Sequence, residues 1–370
     1  MALRARLVTW LVGSAYPLWA AHGIDTENGG FVEALGQNGS GLPHPRRARV
    51  QPRQMYAFAQ ARALGWTGDT ERILGRGMHY FTNHYLRPDG LFRTLIGVDG
   101  TPLDDAAMLY DQAFVLLSYA ATAIALDARS DFEKRALALR RAIELRFRAS
   151  ERGFHSSESV DGFFESNPHM HLLEACLAWA EIGNDAGWTD WSRLLVNLAM
   201  QKFIRRGSGA LGESFAADWA PAPGIAGRII EPGHQFEWAW LLLRSEKLCE
   251  GPVREAALRL IAIGETSGVR NQVAINALLD DFSIHDPNAR FWPQTERLKA
   301  ALLAAQLTGE EKYWAMAVSA ATSLLPYLDT PVAGLWRDVQ RATGEFVDAP
   351  APASSFYHLV GAILALDKTM

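Results

Sequence analysis

An internal repeat constrains this chain more than any other feature. A glycine followed by one or two apolar residues recurs at Gly30-Phe31-Val32, Gly90-Leu91-Phe92, Gly153-Phe154, Gly209-Ala210-Leu211 and Gly334-Leu335-Trp336. The first four glycines stand 60, 63 and 56 positions apart. The 125 positions from Gly209 to Gly334 leave room for one missing marker, near residues 273–282. Self-similarity at such a period marks supersecondary units stacked side by side. Each marker sits in a polar-flanked stretch with the character of a small hairpin, and two helix-length apolar patterns separate successive markers. One of each pair is broadly apolar, as in Phe114-Val-Leu-Leu-Ser-Tyr-Ala-Ala121. The other is amphipathic, as in Asp131-Phe-Glu-Lys-Arg-Ala-Leu-Ala-Leu-Arg-Arg141.

The patterning predicts about twelve helices, near 4–21, 50–64, 70–85, 104–127, 131–148, 168–183, 188–204, 232–248, 252–266, 287–307, 310–326 and 354–367. Apolar helices belong inside and amphipathic ones outside. Six such pairs form either an open solenoid or a closed ring. Neither end has a polar capping helix, so the expected fold is all-α: a single (α/α)6 barrel over residues 1–370 with short β-hairpins in its connections.

Composition narrows the function classes. A net charge of −5 gives no electrostatic reason to expect nucleic acid or an anionic membrane. Cys176 and Cys249 lie in apolar helical patterns and read as reduced core residues, which fits a cytoplasmic protein. Arg4 and Arg6 followed by residues 7–21 imitate a secretory signal. That stretch is interrupted by Ser14, Tyr16 and Pro17 and fills the slot of a helix the repeat requires. No other apolar run is long enough to span a bilayer. There is no HExxH, CxxC, EF-hand loop, P-loop or GxGxxG after a strand, so no metal and no nucleotide cofactor is expected.

The polar exceptions gather where each apolar helix begins. They are Arg53; Tyr110; Asn167, His171 and Glu174; His234 and Glu237, which open a helix after Glu231-Pro-Gly; Trp292, Gln294 and Glu296; and His358. Counted from the preceding marker glycine, the offsets are 23 for Arg53, 20 for Tyr110, 18 for His171, 25 for His234 and 24 for His358. In a ring of repeats equal phase means one end of the barrel, so these side chains are expected to meet in one funnel. His169, one residue out of phase with His171, should point away. His22, His79, His84, His155 and His285 read as outer or loop residues, and Arg46, Arg47 and Arg49 as a basic loop. Three histidines and one arginine favour proton transfer near neutral pH, here next to a carbonyl. Trp292, Tyr110 and Trp336 would offer flat faces for a sugar. Two His-x-x-Glu pairs, His171/Glu174 and His234/Glu237, could instead cradle a divalent ion.

Asn167-Pro-His-Met-His-Leu-Leu-Glu-Ala175, Glu231-Pro-Gly-His-Gln-Phe-Glu-Trp238 and Trp292-Pro-Gln-Thr-Glu296 together resemble the N-acylglucosamine 2-epimerase superfamily, and the likeness runs from Gly29 to His358. The resemblance implies an (α/α)6 barrel and a metal-independent reaction of an open-chain sugar through a cis-enediolate. It implies His234 and His358 as the acid/base pair and Arg53 and His171 at the oxygens of C1 and C2. Glu237 would orient His234 or bind sugar, and Tyr110, Asn167 and Trp292 would line the pocket. Arg228 is the arginine nearest the place where the family uses one before Glu-Pro-Gly-His. The expected activity is aldose–ketose isomerisation, with mannose and fructose foremost and 2-epimerisation as the alternative, in a monomer or homodimer. A phosphosugar would need more than one well-placed Arg or Lys. The rivals are a glycoside hydrolase on the same barrel, pairing Asp111 or Glu174 with Glu237, and a non-catalytic helical-repeat binding protein.

Overall fold

The computed structural model describes residues 2–149, 152–158 and 163–369. Among them twelve helices alternate between two layers. The outer layer holds α1 (residues 2–22, with a π turn at Leu11–Ala15), α3 (Thr70–Tyr85), α5 (Arg129–Phe147), α7 (Gly187–Leu198), α9 (Val253–Gly268) and α11 (Glu311–Leu324). The inner layer holds α2 (Val50–Ala61), α4 (Leu109–Ala125), α6 (Ser166–Ile182), α8 (Pro232–Ser245), α10 (Phe291–Thr308) and α12 (Ser354–Asp367). Each inner helix packs on the next around the circuit, and α12 packs back on α2. The ring is closed, which answers the choice between solenoid and barrel. The inner helices are buried over most of their circumference, whereas α5 buries only Phe132, Ala136, Leu139, Ile143 and Phe147 along one stripe.

Short strands tie one repeat to the next at the end where the inner helices begin. Arg46–Arg47 pairs with Leu95–Ile96, Phe163–Glu165 with Ser214–Ala216, and Ala289–Arg290 with Val339–Gln340. Ala34–Leu35 pairs with Ala351–Pro352, which joins the first repeat to the last.

The sequence marker has a mechanical meaning. Buried backbone N–H and C=O groups of a marker segment need partners, and in four of the repeats a glutamine from the next inner helix supplies both. Gln51 accepts from Phe31 N and donates to Phe31 O, each at 2.8 Å. Gln112 grips Phe92, Gln235 grips Leu211 and Gln294 grips Ala274 in the same way. In the third repeat His169 substitutes: its Nε2 accepts from Phe154 N at 3.0 Å and its Nδ1 donates to Glu165 O at 2.7 Å. The chain reaches these grips through a left-handed residue, Gly30 (φ 72°), Gly90 (84°), Gly153 (76°) and Gly209 (77°). In the fifth repeat that place is held by Gln272 at φ 70°, two residues before the gripped Ala274. The marker is therefore present as geometry and absent as glycine.

Candidate active site

The first turns of all six inner helices open into one cavity of about 300 Å³, within the range of small-molecule sites. Helix α2 contributes Arg53, α4 Tyr110, α6 Asn167 and His171, α8 His234 and Glu237, α10 Trp292, and α12 Ser354, Ser355 and His358. Arg47, Arg49, Glu231 and Arg290, from the segments leading into these helices, complete the wall.

Trp292 stands between the two helix-start histidines, 5.1 Å from the His234 ring and 5.5 Å from that of His358. Its position depends on Gly233, where a Cβ would lie 2.5 Å from the indole edge and 3.0 Å from Pro293. The two histidines differ in charge. Burial lowers His234, but Glu213, 2.8 Å from Nδ1, followed by Glu231 and Glu237, reverses the effect and raises it to about 10. His234 is therefore an imidazolium at neutral pH. His358 is held well below 6.5 by burial, reinforced by the Arg53 and Lys299 cations. Its Nδ1 lies 2.8 Å from Glu296 Oε1, and the other oxygen of that carboxylate is 2.7 Å from Lys299 Nζ. Burial raises the Glu296 carboxyl, while the Lys299 ammonium favours its carboxylate form. A carboxylate only accepts, so facing it Nδ1 carries the proton and Nε2 is left as a lone pair. One histidine is a proton donor and the other a proton acceptor, on either side of one indole.

The floor beneath them is a buried ionic cluster. Lys299 lies 3.8 Å over the Trp240 ring and its charge is sustained against burial by Glu296, Glu174 and Glu237. Burial opposes ionisation of Glu174, but His171 and Lys299 hold it well below the usual carboxylate range, and the Tyr357 hydroxyl donates to it. His171, with Nδ1 3.5 Å from Glu174, is lowered by burial to about 3 and stays neutral. Glu237 is the exception. It is 1% exposed, and neither of its oxygens has a hydrogen-bond partner. Burial and the neighbouring Glu296 push its carboxyl well above 4.5. That shift favours the carboxylic acid, a form able to donate to a substrate oxygen.

Arg53 is fixed as a rigid donor. It donates to the Tyr110 hydroxyl and to Ser354 O, and its guanidinium lies 4.0 Å over the Phe114 ring, while Nε has no partner. Asn167 Oδ1 is likewise buried without a partner.

Two buried triads, His171/Glu174/Glu237 and Glu237/Glu296/His358, bring ligand atoms within 4.8 Å of one another. His234 belongs to neither, so the two His-x-x-Glu pairs do not close on a common point. The Lys299 ammonium stands in the middle of the same carboxylates, where a divalent ion would meet its repulsion.

Five residues expected at the site lie elsewhere. Gln294, two positions on from Trp292, faces nearly the opposite side of α10 and grips the hairpin. Trp336 is buried in the wall, stacked on Trp19 at 4.8 Å. Arg228 pairs with Asp280 and Asp281, outside the cavity. Glu174 and Glu296 lie one layer beneath the cavity, acting on His171 and His358. His169 points away, as its phase requires. Asp111 is fully buried against Thr94 and Arg49 rather than facing a substrate. Reading only helix starts missed Glu213, Lys299, Tyr357 and the arginines of the rim.

The family model for N-acylglucosamine 2-epimerase (GlcNAc 2-epimerase) matches residues 29–362. A relative from Rhizobium meliloti (strain 1021) named mannose-6-phosphate isomerase is 46% identical over 98% of this chain and 96% of its own length. One from Marinomonas mediterranea named D-mannose isomerase is 25% identical over 94% and 93%. A crystal structure of a D-mannose isomerase superposes with a TM-score of 0.89 at 22% identity, covering 98% of this chain and 97% of that one, which is a likeness of fold. The cavity of six helix starts belongs to a sugar isomerase or epimerase. The chain is a member of the N-acylglucosamine 2-epimerase family.

Proposed function

We propose that the protein is an aldose–ketose isomerase of a mannose-type hexose, with D-mannose and D-fructose as the parent pair. The observation that carries this reading is the opposite charge of His234 and His358 about Trp292. The neutral Nε2 of His358 takes the proton from C2 while His234 gives one to the carbonyl oxygen O1, producing a cis-enediol. The proton on His358 then goes to C1, and His234 takes the proton of O2, which restores both residues and leaves the ketose. One acid serves both oxygens because the cis geometry puts them on one side. Arg53 and protonated Glu237 stabilise the developing oxyanion, as donors in a dry site do. His171 stays neutral and completes the wall.

Two relatives whose names share mannose and isomerase support the hexose assignment. The family's own name keeps 2-epimerisation as the second reading. In that case His234 would return a proton to the opposite face of C2. Cavity carboxylates set across a glycosidic bond, which a hydrolase needs, are not supported, since Glu231 and Glu237 both come from the start of α8. We further infer one catalytic barrel spanning residues 1–370, working as a monomer or homodimer in the cytoplasm without a metal. No helix among the described residues is long and apolar enough to cross a membrane.

Incubating EDTA-treated protein with mannose in D₂O and following proton NMR tests the proposal. Fructose deuterated at C1 is the expected product, lost in His358→Ala. Glucose deuterated at C2 with little fructose would move the protein to the epimerases.

A further inference from the structure

A lysine is almost never fully buried unless it is paired, and Lys299 is 2% exposed beneath the cavity. Three carboxylates sustain its charge: Glu296, one turn before it on α10, Glu174 on α6 and Glu237 on α8. They depend on it unequally. Glu174 also faces His171 and accepts from the Tyr357 hydroxyl. Glu237 makes no hydrogen bond to anything. Glu296 is the carboxylate that Lys299 touches, with Nζ 2.7 Å from Oε2. The neighbouring Arg297 turns its guanidinium to Glu265 on α9, at 2.8 Å, and leaves Glu296 to Lys299.

The other oxygen of Glu296 lies 2.8 Å from His358 Nδ1. Ammonium, carboxylate and imidazole thus form one line that ends at the cavity wall, where His358 stands. The line has two proton arrangements. With Glu296 ionised, Nδ1 donates to it and Nε2 keeps a lone pair. On taking up one more proton, Glu296 donates to Nδ1 instead, the ring carries its own proton on Nε2, and no lone pair faces the cavity. Burial pushes the Glu296 carboxyl up and Lys299 is the main influence against it, with Glu174 adding to the push and His171 to the opposition. His358 itself feels Arg53 of α2 and His234 of α8 as further cations, and Glu174 in the opposite sense.

We propose that Lys299 is a positioning residue for the base: its ammonium holds Glu296 as a carboxylate, and Glu296 in turn fixes the His358 ring with the Nε2 lone pair toward the substrate. The inference rests on the isomerase reading, in which His358 takes the proton from C2, and adds the residue that sets its tautomer from two groups away. A merely structural lysine would offset buried charge, and the damage from its removal would follow stability. The line makes a different demand. A lysine only donates, so beside it the amide of a Glu296→Gln variant must turn its oxygen to Nζ and its NH₂ to Nδ1. That leaves the ring proton on Nε2. Removing the lysine as well frees the amide to turn over and accept from Nδ1.

The test measures kcat/KM for mannose against pH, in EDTA, for the wild type, Lys299→Met, Glu296→Gln and the double variant, with ¹⁵N spectra of the His358 ring and circular dichroism of each. In Lys299→Met, kcat/KM at pH 7 should fall by about a hundredfold, within the range for losing a general base. It should recover as pH rises, because the extra proton that occupies the base leaves at higher pH; the acid limb therefore moves up. Glu296→Gln should lose at least as much and show a ring protonated at Nε2. The double variant should exceed Glu296→Gln by about tenfold or more and return the ring proton to Nδ1, a non-additivity that lost stability does not produce. An acid limb and an Nδ1 proton unchanged in Lys299→Met, or a double variant no better than Glu296→Gln, would overturn the role. The double variant carries no charge at either position, so that comparison stands even where Lys299→Met does not fold. Ring spectra that behave as expected in a protein that isomerises no aldose would support the relay and count against the isomerase reading instead.

Discussion

Replacing Glu213 by glutamine removes the largest charge that keeps His234 protonated while preserving the shape of the site. Glu213 also accepts from the Ser166 hydroxyl at 3.1 Å on Oε2 and from Glu231 N at 3.3 Å on Oε1; the single oxygen of a glutamine can keep the first of these and gives up the longer second. The rise of His234 from 6.5 to about 10 corresponds to about 5 kcal/mol in favour of the imidazolium. A charge pair at this separation and an effective dielectric near 20 supplies ~4–6 kcal/mol, enough to account for it. Without Glu213, burial is opposed chiefly by Glu231, and His234 should titrate at or below its ordinary value. A group whose pKa is raised does its work while protonated and loses it as pH climbs through that pKa. The alkaline limb of kcat/KM should therefore lie near pH 10 in the wild type and fall by more than about two pH units in Glu213→Gln. At pH 8 fewer than about one molecule in thirty would then carry the acid, and kcat/KM should drop by at least about thirtyfold, with recovery toward pH 6. Initial rates from pH 5 to 10.5, with circular dichroism to verify the fold, make the measurement. An alkaline limb that stays put would refute the assignment of His234 as an acid held charged by Glu213.

Glu237→Gln should keep kcat within about tenfold of the wild type, because a neutral amide can replace a neutral acid as donor; steady-state kinetics at pH 7 would reveal a larger loss if the carboxylate form were needed. Gly233→Ala should push the Trp292 ring out of place and lower kcat by about a hundredfold with little change in unfolding midpoint, since misplacing a group by about 1 Å is felt that strongly. Gln294→Ala should leave the chemistry alone and destabilise the barrel by about 1–3 kcal/mol, the cost of abandoning the buried N–H and C=O of Ala274; urea unfolding followed by tryptophan fluorescence reads it.

What the sequence disclosed and what it withheld have physical reasons. The period was legible because a left-handed turn with a helix–hairpin grip recurs in the first five units, and glycine is the usual residue at such a φ. Gln272 breaks the pattern because its backbone reaches that conformation without glycine. The floor of the site was legible because Arg53, Tyr110, His171, His234 and His358 stand at equal phase in equivalent helices. Phase also separates Trp292 from Gln294, since two positions along α10 carry a side chain more than halfway around the helix. Placing both at the cavity neglected that rotation. Glu213 lies in a hairpin loop, where no periodicity fixes direction. Lys299 lies well inside a helix, where a lysine ordinarily marks a solvated face; here it is 2% exposed among three glutamates. Arg47 and Arg49 read as loop residues and Arg290 fell inside the helix expected over 287–307, because only the closed ring carries the segment before α10 to the cavity that receives the segment before α2.

The charge states of the two histidines can be observed directly. Protein labelled with ¹⁵N in its histidine rings, with resonances assigned through His234→Ala and His358→Ala, should show at pH 7.5 an imidazolium at His234 that persists to about pH 10. In the same spectrum His358 should be a neutral ring protonated at Nδ1, unchanged as the pH is lowered through 6.5. Two neutral rings at pH 7.5, or a His358 that gains its second proton near 6.5, would contradict the division of labour on which the proposed isomerisation stands.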